Sequence, residues 1–272
     1  MRIRDFLPAD LLRGNVVFVT GGGSGINLGI ARHFAALGAN LAICGRTRET
    51  LEAAADELRG LGATVVAEVA DVRDYDAVAA VLATSEAQLG PVDVVVCGAA
   101  GNFLCPVANL SAKGFKTVIE IDLLGSFNAA KAAFEQLKRT RGSLIFISAG
   151  QAFLPFPLQA HAGAAKAGVD NLMRNLALEW GALGIRSNSI APGPIAETEG
   201  MRRLAVGKMR ELVVQSIPLA RLGTVDDIGE AAVFLASPLA SFITGTVLLV
   251  DGGQTLHGSG LMTGLMMSPK AG

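Results

Sequence analysis

The sequence predicts an α/β fold, a doubly wound sheet of seven parallel strands with helices on both faces. Three observations lead to this prediction. Short runs rich in β-branched residues alternate with longer Ala- and Leu-rich segments, most of these runs are apolar throughout, and a glycine-rich loop follows the first of them. Uniformly apolar strands are typical of parallel sheets covered on both faces, and strand–helix alternation is typical of doubly wound folds with right-handed crossovers.

Each element follows from this alternation, taken in chain order. The short β-branched runs predict strands at residues 15–20, 40–44, 64–70, 92–97, 143–148, 185–191 and 246–250. The Ala- and Leu-rich segments between them predict helices at residues 25–37, 48–61, 75–89, 111–139, 158–183, 199–215 and 225–236. The tail after Asp251, rich in Gly and Met, gives no prediction.

The bulk composition favours a single domain over residues 1–272. An apolar fraction of 51% can fill a substantial core. The net charge of −1, without long runs of one sign, gives no footprint for nucleic acid or an anionic membrane. The three cysteines lack the spacing of a zinc site or a disulfide framework, so no metal is expected. Neither a signal peptide, a membrane span nor a peroxisomal address is evident, which favours a cytoplasmic location.

A glycine-rich segment at residues 20–29 follows the first predicted strand and opens the first predicted helix. Glycines let the backbone approach a pyrophosphate, whose charge is then met by free amides at the helix N-terminus. This context predicts a Rossmann-like dinucleotide site. Its cofactor-binding residues are predicted to be Gly21, Gly23, Ser24, Gly25 and Ile26.

The end of the second predicted strand bears on the choice of cofactor. It carries no acidic residue that would accept hydrogen bonds from an adenosine ribose. Arg46 instead offers a planar fork for a 2′-phosphate, which favours NADP over NAD. A solvated loop arginine is the alternative interpretation of Arg46.

A second region carries the candidate chemistry: Ser148-Ala149-Gly150, followed by His161-Ala162-Gly163-Ala164-Ala165-Lys166-Ala167-Gly168. Together with the glycine-rich loop, it resembles the short-chain dehydrogenase/reductase family. The resemblance implies that Lys166 bonds the nicotinamide ribose and tunes nearby proton transfers, although a surface lysine would look the same in sequence. The further cofactor contacts that it implies are Asp71, Val72, Ala100, Gly101, Pro192, Gly193, Ile195 and Thr198.

The chain departs from the family pattern in its active-site region. Ala162 stands where most members have the tyrosine that protonates a carbonyl oxygen, and Ala149 replaces the assisting serine. The single tyrosine, Tyr75, lies near the expected adenine edge. Either the enzyme is inactive, or its reaction needs no phenol. His161 is a possible substitute acid, but neighbours on a helix point about 100° apart, which favours a structural role.

Two further residues differ from the family pattern. Asn27 replaces a loop glycine, and we expect it to preserve the turn because Asn tolerates left-handed geometry. Asp122 stands where most members have an Asn that positions a water beside the lysine. A buried carboxylate is costly unless it is paired. We therefore expect Asp122 to pair with Lys166 and polarise a water, or to form a purely structural ion pair.

Several segments look like one branch of the family, the peroxisomal-type 2,4-dienoyl-CoA reductases. These segments are residues 98–106, 121–128, 161–166, 191–195 and 198–203, and the resemblance covers a core of roughly residues 14–257. The resemblance implies NADPH-dependent reduction of a 2,4-dienoyl-CoA to a 3-enoyl-CoA in the degradation of unsaturated fatty acids. It makes Asp122 and Lys166 the catalytic pair. It also implies a homotetramer built through the helices at 111–139 and 158–183.

The acyl-CoA thioester has two candidate contacts in this resemblance, Phe103 as a wall of the acyl site and Arg203 as a contact for the acyl-CoA. A core phenylalanine and a solvated arginine are the alternatives. Two rival functions remain open at this stage. One is another short-chain oxidoreductase acting on a carbonyl or enoyl thioester, and the other is a cofactor-binding pseudoenzyme subunit.

Overall fold

The computed structural model describes residues 7–196, 198, 201 and 208–259. Its centre is a seven-stranded sheet with the strand order β3-β2-β1-β4-β5-β6-β7. Every neighbouring pair of strands is parallel. The predicted doubly wound, seven-stranded parallel sheet is therefore confirmed.

The strands lie close to their predicted positions. They are β1 Val16–Thr20, β2 Asn40–Gly45, β3 Val65–Val69, β4 Val94–Cys97, β5 Ser143–Ile147, β6 Arg186–Pro192 and β7 Val247–Val250. The α-helices are α1 Gly25–Ala36, α2 Arg48–Gly60, α3 Tyr75–Leu89, α4 Ala112–Ile119, α5 Gly125–Thr140, α6 Ala160–Trp180, α7 Lys208–Gln215 and α8 Val225–Ala236.

The apolar core forms two layers, one on each face of the sheet. The first layer contains Phe34 of α1, Leu58 of α2 and Val233 of α8. The second contains Leu82 of α3 and residues of α5 and α6 such as Leu137 and Met173. Since both faces of the sheet are covered, the central strands carry apolar side chains in both directions, as their uniformly apolar sequences predicted.

Two of the long predicted helices differ in part from the prediction. The segment predicted at 111–139 is divided by a π-helical turn, Glu120–Leu124, between α4 and α5. The segment predicted at 158–183 ends in a 3₁₀ turn, Gly181–Leu183. Of the helix predicted at 199–215, the part before Lys208 lies mostly outside the described residues. In the part of the chain that the structure covers, no helix is both long and apolar enough to cross a membrane.

The strand order reverses between β1 and β4, which are neighbours in the sheet although β2 and β3 intervene in sequence. In open α/β sheets, ligands bind in the crevice beyond the carboxyl ends of the strands at such a point. The glycine-rich loop after Thr20 and the loop after Cys97 both open there. The topology therefore assembles the predicted site from segments that are far apart in sequence.

Candidate active site

A cleft of about 600 Å³ lies at the carboxyl ends of β1, β2, β4, β5 and β6. It runs from the glycine-rich loop, past the end of β2, to the first turns of α6. The predicted site residues that line it are Gly21, Gly23, Ser24, Gly25, Ile26, Arg46, Asp71, Val72, Ala100, Asp122, Lys166, Pro192, Gly193 and Thr198. One cleft thus contains both the predicted cofactor residues and the predicted catalytic pair.

The glycine-rich loop has the geometry that a bound pyrophosphate requires. Gly21 and Gly25 have positive φ values of 67° and 57°, in the region that favours glycine. A Cβ at Gly22 would lie 2.8 Å from a side-chain carbon of Ile43. Ser24 precedes α1 without a side-chain cap bond to the first-turn amides. Those amides are thus available to an anion, and this end of the cleft fits the diphosphate of a dinucleotide.

Asn27 keeps the loop in place by a different route from the one predicted. It lies inside α1, and the left-handed positions of the loop are taken by glycines, so the expected left-handed geometry at Asn27 was wrong. Its Nδ2 instead donates to the carbonyl oxygens of Gly98, at 2.9 Å, and Gly21, at 3.4 Å. The side chain therefore connects the loop after β1 to the end of β4. A glycine at this position has no side chain to make these hydrogen bonds.

The adenosine end of the cleft carries an exposed arginine and an aspartate that is hydrogen-bonded to a second arginine. Arg46 is exposed and lines the cleft. The carboxylate of Asp71 accepts hydrogen bonds from the main chain and guanidinium of Arg73, with the shortest at 2.6 Å. This bond lowers the pKa of Asp71, and the positive charges of Arg73 and Arg46 add to the effect. The exposed guanidinium of Arg46 is suited to bind a phosphate group.

Asp122 and Lys166 form a buried ion pair at the other end of the cleft. Asp122 lies in the π-helical turn, a feature frequent at functional sites. Its Oδ2 is 3.2 Å from the Nζ of Lys166, and the two side chains are 2% and 9% exposed. Asp122 Oδ1 accepts a hydrogen bond from the Gly101 amide at 2.7 Å, and Lys166 Nζ donates to the Ile147 carbonyl at 2.8 Å. The predicted pairing is thus present in the structure.

Polar capacity remains on both members of this pair. An ammonium group has three N–H donors. One of those of Lys166 donates to the Ile147 carbonyl, and Asp122 is its ion-pair partner at 3.2 Å. Each carboxylate oxygen of Asp122 can accept a second hydrogen bond. Since both residues line the cleft, the pair can hold a water or a ribose hydroxyl there. That capacity distinguishes it from an ion pair closed off inside the core.

The tyrosine and serine positions of the family are small apolar surfaces here. Ala149 and Ala162 both line the cleft. Near them, Asn102 Nδ2 and Gln151 Nε2 donate to the same acceptor, Gln159 Oε1, at 2.7 and 3.1 Å. Neither vacated position offers a hydroxyl, and the neutral side chains with polar hydrogens at this end are the amides of Asn102 and Gln151 and the hydroxyl of Ser148.

His161 does not face the cleft. Its side chain is fully buried, and neither ring nitrogen has a hydrogen-bond partner among the described residues. Its ring centroid lies 4.4 Å from that of Phe103. This packing favours the structural role over that of a substitute acid.

Four predicted site residues are not among those that line the cleft. The Gly101 amide donates a hydrogen bond to Oδ1 of Asp122, which lines the cleft. Phe103 is 41% exposed and packs on His161, and Ile195 is buried beside a second cavity. Arg203 lies outside the described residues.

Sequence reasoning missed three polar residues of the site. Asn102 lies in the segment 98–106, for which the resemblance gave it no role, and Gln151 and Gln159 were not predicted. Only the position of Gln151 close after Ala149 in sequence could have indicated it. Amide side chains are common on protein surfaces, and nothing in their local sequence marks a shared hydrogen-bond acceptor.

Comparison with known proteins agrees with this architecture. A sequence model of the family described as Enoyl-(Acyl carrier protein) reductase matches residues 21–255. A peroxisomal 2,4-dienoyl-CoA reductase of Saccharomyces cerevisiae, named as producing (3E)-enoyl-CoA, is 48% identical over 249 residues, which cover 90% of this chain and 85% of the yeast protein. The protein of the same type from Pongo abelii is 44% identical over 263 residues, covering 93% and 90% of the two chains.

A solved structure adds a likeness in three dimensions. The gluconate 5-dehydrogenase of Burkholderia cenocepacia, crystallised with NADP and tartrate, has a TM-score of 0.85 and 32% identity. The match covers 91% of this chain and 98% of that one. The predicted oxidoreductase activity and the predicted nicotinamide cofactor agree with these relatives. The chain belongs to the short-chain dehydrogenase/reductase family.

Proposed function

We propose that this protein reduces 2,4-dienoyl-CoA thioesters to 3-enoyl-CoA with NADPH, in the degradation of unsaturated fatty acids. The observation that carries the proposal is the buried Asp122–Lys166 pair in a cleft whose tyrosine and serine positions are alanines. Reduction of a ketone needs an acid beside the carbonyl oxygen. A conjugated thioester needs none there, because the proton is finally delivered to carbon. The dienoyl-CoA reductases named above support the same substrate.

The cofactor, when bound, supplies hydride to the δ carbon of the dienoyl chain. Negative charge then moves through the conjugated system to the thioester oxygen as a dienolate. The second amide hydrogens of Asn102 and Gln151 are suitable donors to that oxygen, since each amide uses one hydrogen on Gln159. A water held by Asp122 and Lys166 then protonates the α carbon.

Several finer assignments belong to the same proposal. Arg46 would bind the 2′-phosphate of NADP, as its exposure at the adenosine end allows. Gly101 and Ile195 would bind the cofactor through main-chain groups. Phe103 would form a wall of the acyl site, and Arg203 would contact the acyl-CoA. The single domain over residues 1–272 also stays a prediction.

The proposal extends to a homotetramer, and exposed apolar side chains support it. Phe115, Leu124 and Phe127, in or next to α4 and α5, are about two-fifths exposed. Covering such side chains stabilises association. The relatives above are named peroxisomal, which does not support the cytoplasmic location predicted from the sequence. That location therefore stays a prediction.

The primary test is NADPH oxidation with trans-2,trans-4-hexadienoyl-CoA and longer homologues, with identification of the product double bond. Asp122→Ala and Lys166→Ala should lose most of the rate while the fold, measured by circular dichroism, is retained. Lys116→Ala is the control, since Lys116 is an exposed lysine of α4 paired with Glu120. Full activity of Asp122→Ala would remove that residue from the mechanism.

The rival functions are tested in the same assay. Ketones, 3-oxoacyl-CoA and trans-2-enoyl-CoA are offered beside the dienoyl substrate. Faster turnover of any of these would favour another reductase. Tight NADPH binding without turnover of any acyl-CoA would favour the pseudoenzyme.

Cofactor preference is tested with Arg46→Ala against Arg48→Ala. Arg48 is exposed and lies near Glu52 on α2, 3.7 Å away. A hydrogen bond to a charged group contributes about 1.5–3 kcal/mol, so Arg46→Ala should weaken NADPH binding by at least about tenfold and leave NADH binding unchanged. Equal effects on NADPH and NADH would contradict the role of Arg46.

A further inference from the structure

Gln159 lies at the residue preceding α6 and joins two residues of the cleft wall. Its Oε1 accepts from Asn102 Nδ2 at 2.7 Å and from Gln151 Nε2 at 3.1 Å. An amide oxygen has two lone pairs, so both are used. Gln159 is 9% exposed and does not line the cleft, whereas Asn102 and Gln151 do. It therefore acts on the cleft only through them.

The backbone around Gln159 is fixed by two further contacts. Leu158 has a positive φ of 67°, a costly conformation for a side chain of its size. Its carbonyl oxygen accepts a hydrogen bond from the Cys105 amide at 2.9 Å. Two residues beyond Gln159, the ring of His161 packs on that of Phe103. The segment 158–161 therefore holds the loop 102–105 at three points.

These contacts bring the NH₂ groups of Asn102 and Gln151 to one common acceptor. An amide can rotate to exchange its NH₂ and its oxygen, and the two ends have opposite polarity. Because Gln159 Oε1 is an acceptor only, it holds the NH₂ ends of Asn102 and Gln151 toward one point. Each NH₂ keeps one hydrogen that Gln159 does not use. Without this shared acceptor, either amide could turn its oxygen toward the developing negative charge.

We propose that Gln159 is a positioning residue for the reduction, and that it keeps the Asn102 and Gln151 amide groups oriented as hydrogen-bond donors beside Ala149 and Ala162. The proposal rests on the proposed dienoyl-CoA reduction. Gln159 touches neither substrate nor cofactor in it. Its effect should appear in kcat, because oriented donors matter most where charge develops in the transition state.

The test compares Gln159→Met with Gln136→Met. Gln136 is also a buried amide with two main-chain contacts, to Val92 and Leu82, away from the cleft. Gln159→Met should lower kcat about tenfold, the effect of about one net hydrogen bond, with the Kd for NADPH and the KM for the dienoyl-CoA changed less than about twofold. Gln136→Met should lower stability and leave kcat unchanged.

A second arm separates positioning from a general structural role. In a protein that already carries Asn102→Ala and Gln151→Ala, adding Gln159→Met should change kcat less than about twofold, because no amide group remains to be oriented. A further tenfold loss in that background would overturn the proposal, as would wild-type kcat in Gln159→Met alone. A wild type without dienoyl-CoA reductase activity would overturn the proposed function and this inference together. An active wild type with an unaffected variant would overturn this inference alone.

Discussion

The Asp122–Lys166 pair allows a prediction in which stability and catalysis separate. Asp122→Asn keeps an oxygen that can accept the hydrogen bond from Gly101 but removes the negative charge. Lys166 then remains as a buried cation whose only described partner is the Ile147 carbonyl. Removing one member of a buried ion pair is strongly destabilising, because the other charge is left uncompensated.

The magnitude follows from the separation of the two groups. At the observed 3.2 Å, and with an effective dielectric constant of about 20, the attraction between two unit charges is roughly 5 kcal/mol. Measured losses for broken buried pairs are about 3–5 kcal/mol. We therefore expect Asp122→Asn to lower the free energy of unfolding by about 3 kcal/mol, the lower end of that range, because both side chains are almost completely buried but line a cleft that water can enter.

The assay is equilibrium unfolding in urea at a fixed protein concentration, so that any assembly affects all variants alike. Glu120→Gln is a matched control in the same π-helical turn. Glu120 pairs with Lys116 at 3.5 Å, but those side chains are 33% and 75% exposed. An exposed pair contributes about 0.3–0.5 kcal/mol, so the control should stay within about 0.5 kcal/mol of wild type.

A double variant, Asp122→Asn with Lys166→Met, completes the experiment. It removes both charges and should recover most of the stability, because no buried charge is left unpaired. It should not recover the reductase rate, since the group proposed to hold the water is gone. A loss below about 0.5 kcal/mol for Asp122→Asn, equal to that of the control, would refute the reasoning about burial.

Three further predictions concern other parts of the fold. Asn27→Ala should weaken NADPH binding about tenfold in a fluorescence titration, because the bonds that hold the loop are lost; an unchanged Kd would contradict this. Arg221 lowers the pKa of Asp227, so Asp227 stabilises the fold above pH 3.8 and that contribution is lost as the pH falls. The difference in free energy of unfolding between wild type and Asp227→Asn, measured in urea, should therefore shrink below pH 3.8. A difference that grows as the pH falls would contradict the stabilising role of the Asp227 carboxylate. In Gly29→Ala, the new Cβ would lie 2.6 Å from the Cβ of Val225, so overpacking between α1 and α8 should lower the free energy of unfolding by about 1–3 kcal/mol. An unchanged midpoint of urea unfolding would show that the two helices can separate without cost.

Most of the fold could be predicted from local patterns. A strand such as β5, Ser143–Ile147, is fully buried and apolar apart from its first residue, and that pattern is visible in the sequence alone. The long helix predicted at 111–139 was only partly right, because the π-helical turn Glu120–Leu124 interrupts it. Nothing in its composition distinguishes that turn from the helices on either side. The burial of Asp122 beside Lys166 is a tertiary condition.

Within the site, the sequence predicted residues that act through their own chemistry. Lys166 and Asp122 were identified as a pair, and the glycines of the loop as a turn that a pyrophosphate can approach. It did not predict the role of Asn27, which depends on Gly98, 71 residues away in the chain. The link between Gln159 and Asn102, which are 57 residues apart, was missed for the same reason.

The sequence alone therefore determined the parallel sheet and the glycine-rich loop, because each depends on residue type and on patterns within a few positions. The family resemblance indicated the pair of Asp122 and Lys166, which are far apart in the chain. Only the tertiary structure decided how the alanines at 149 and 162 are surrounded. The amide cluster beside them comes from two segments, the loop after β4 and the connection between β5 and α6, which meet at the carboxyl ends of these strands. The physical reason is that a hydrogen-bond network is defined by distances of about 3 Å in space, which no local pattern in the chain encodes.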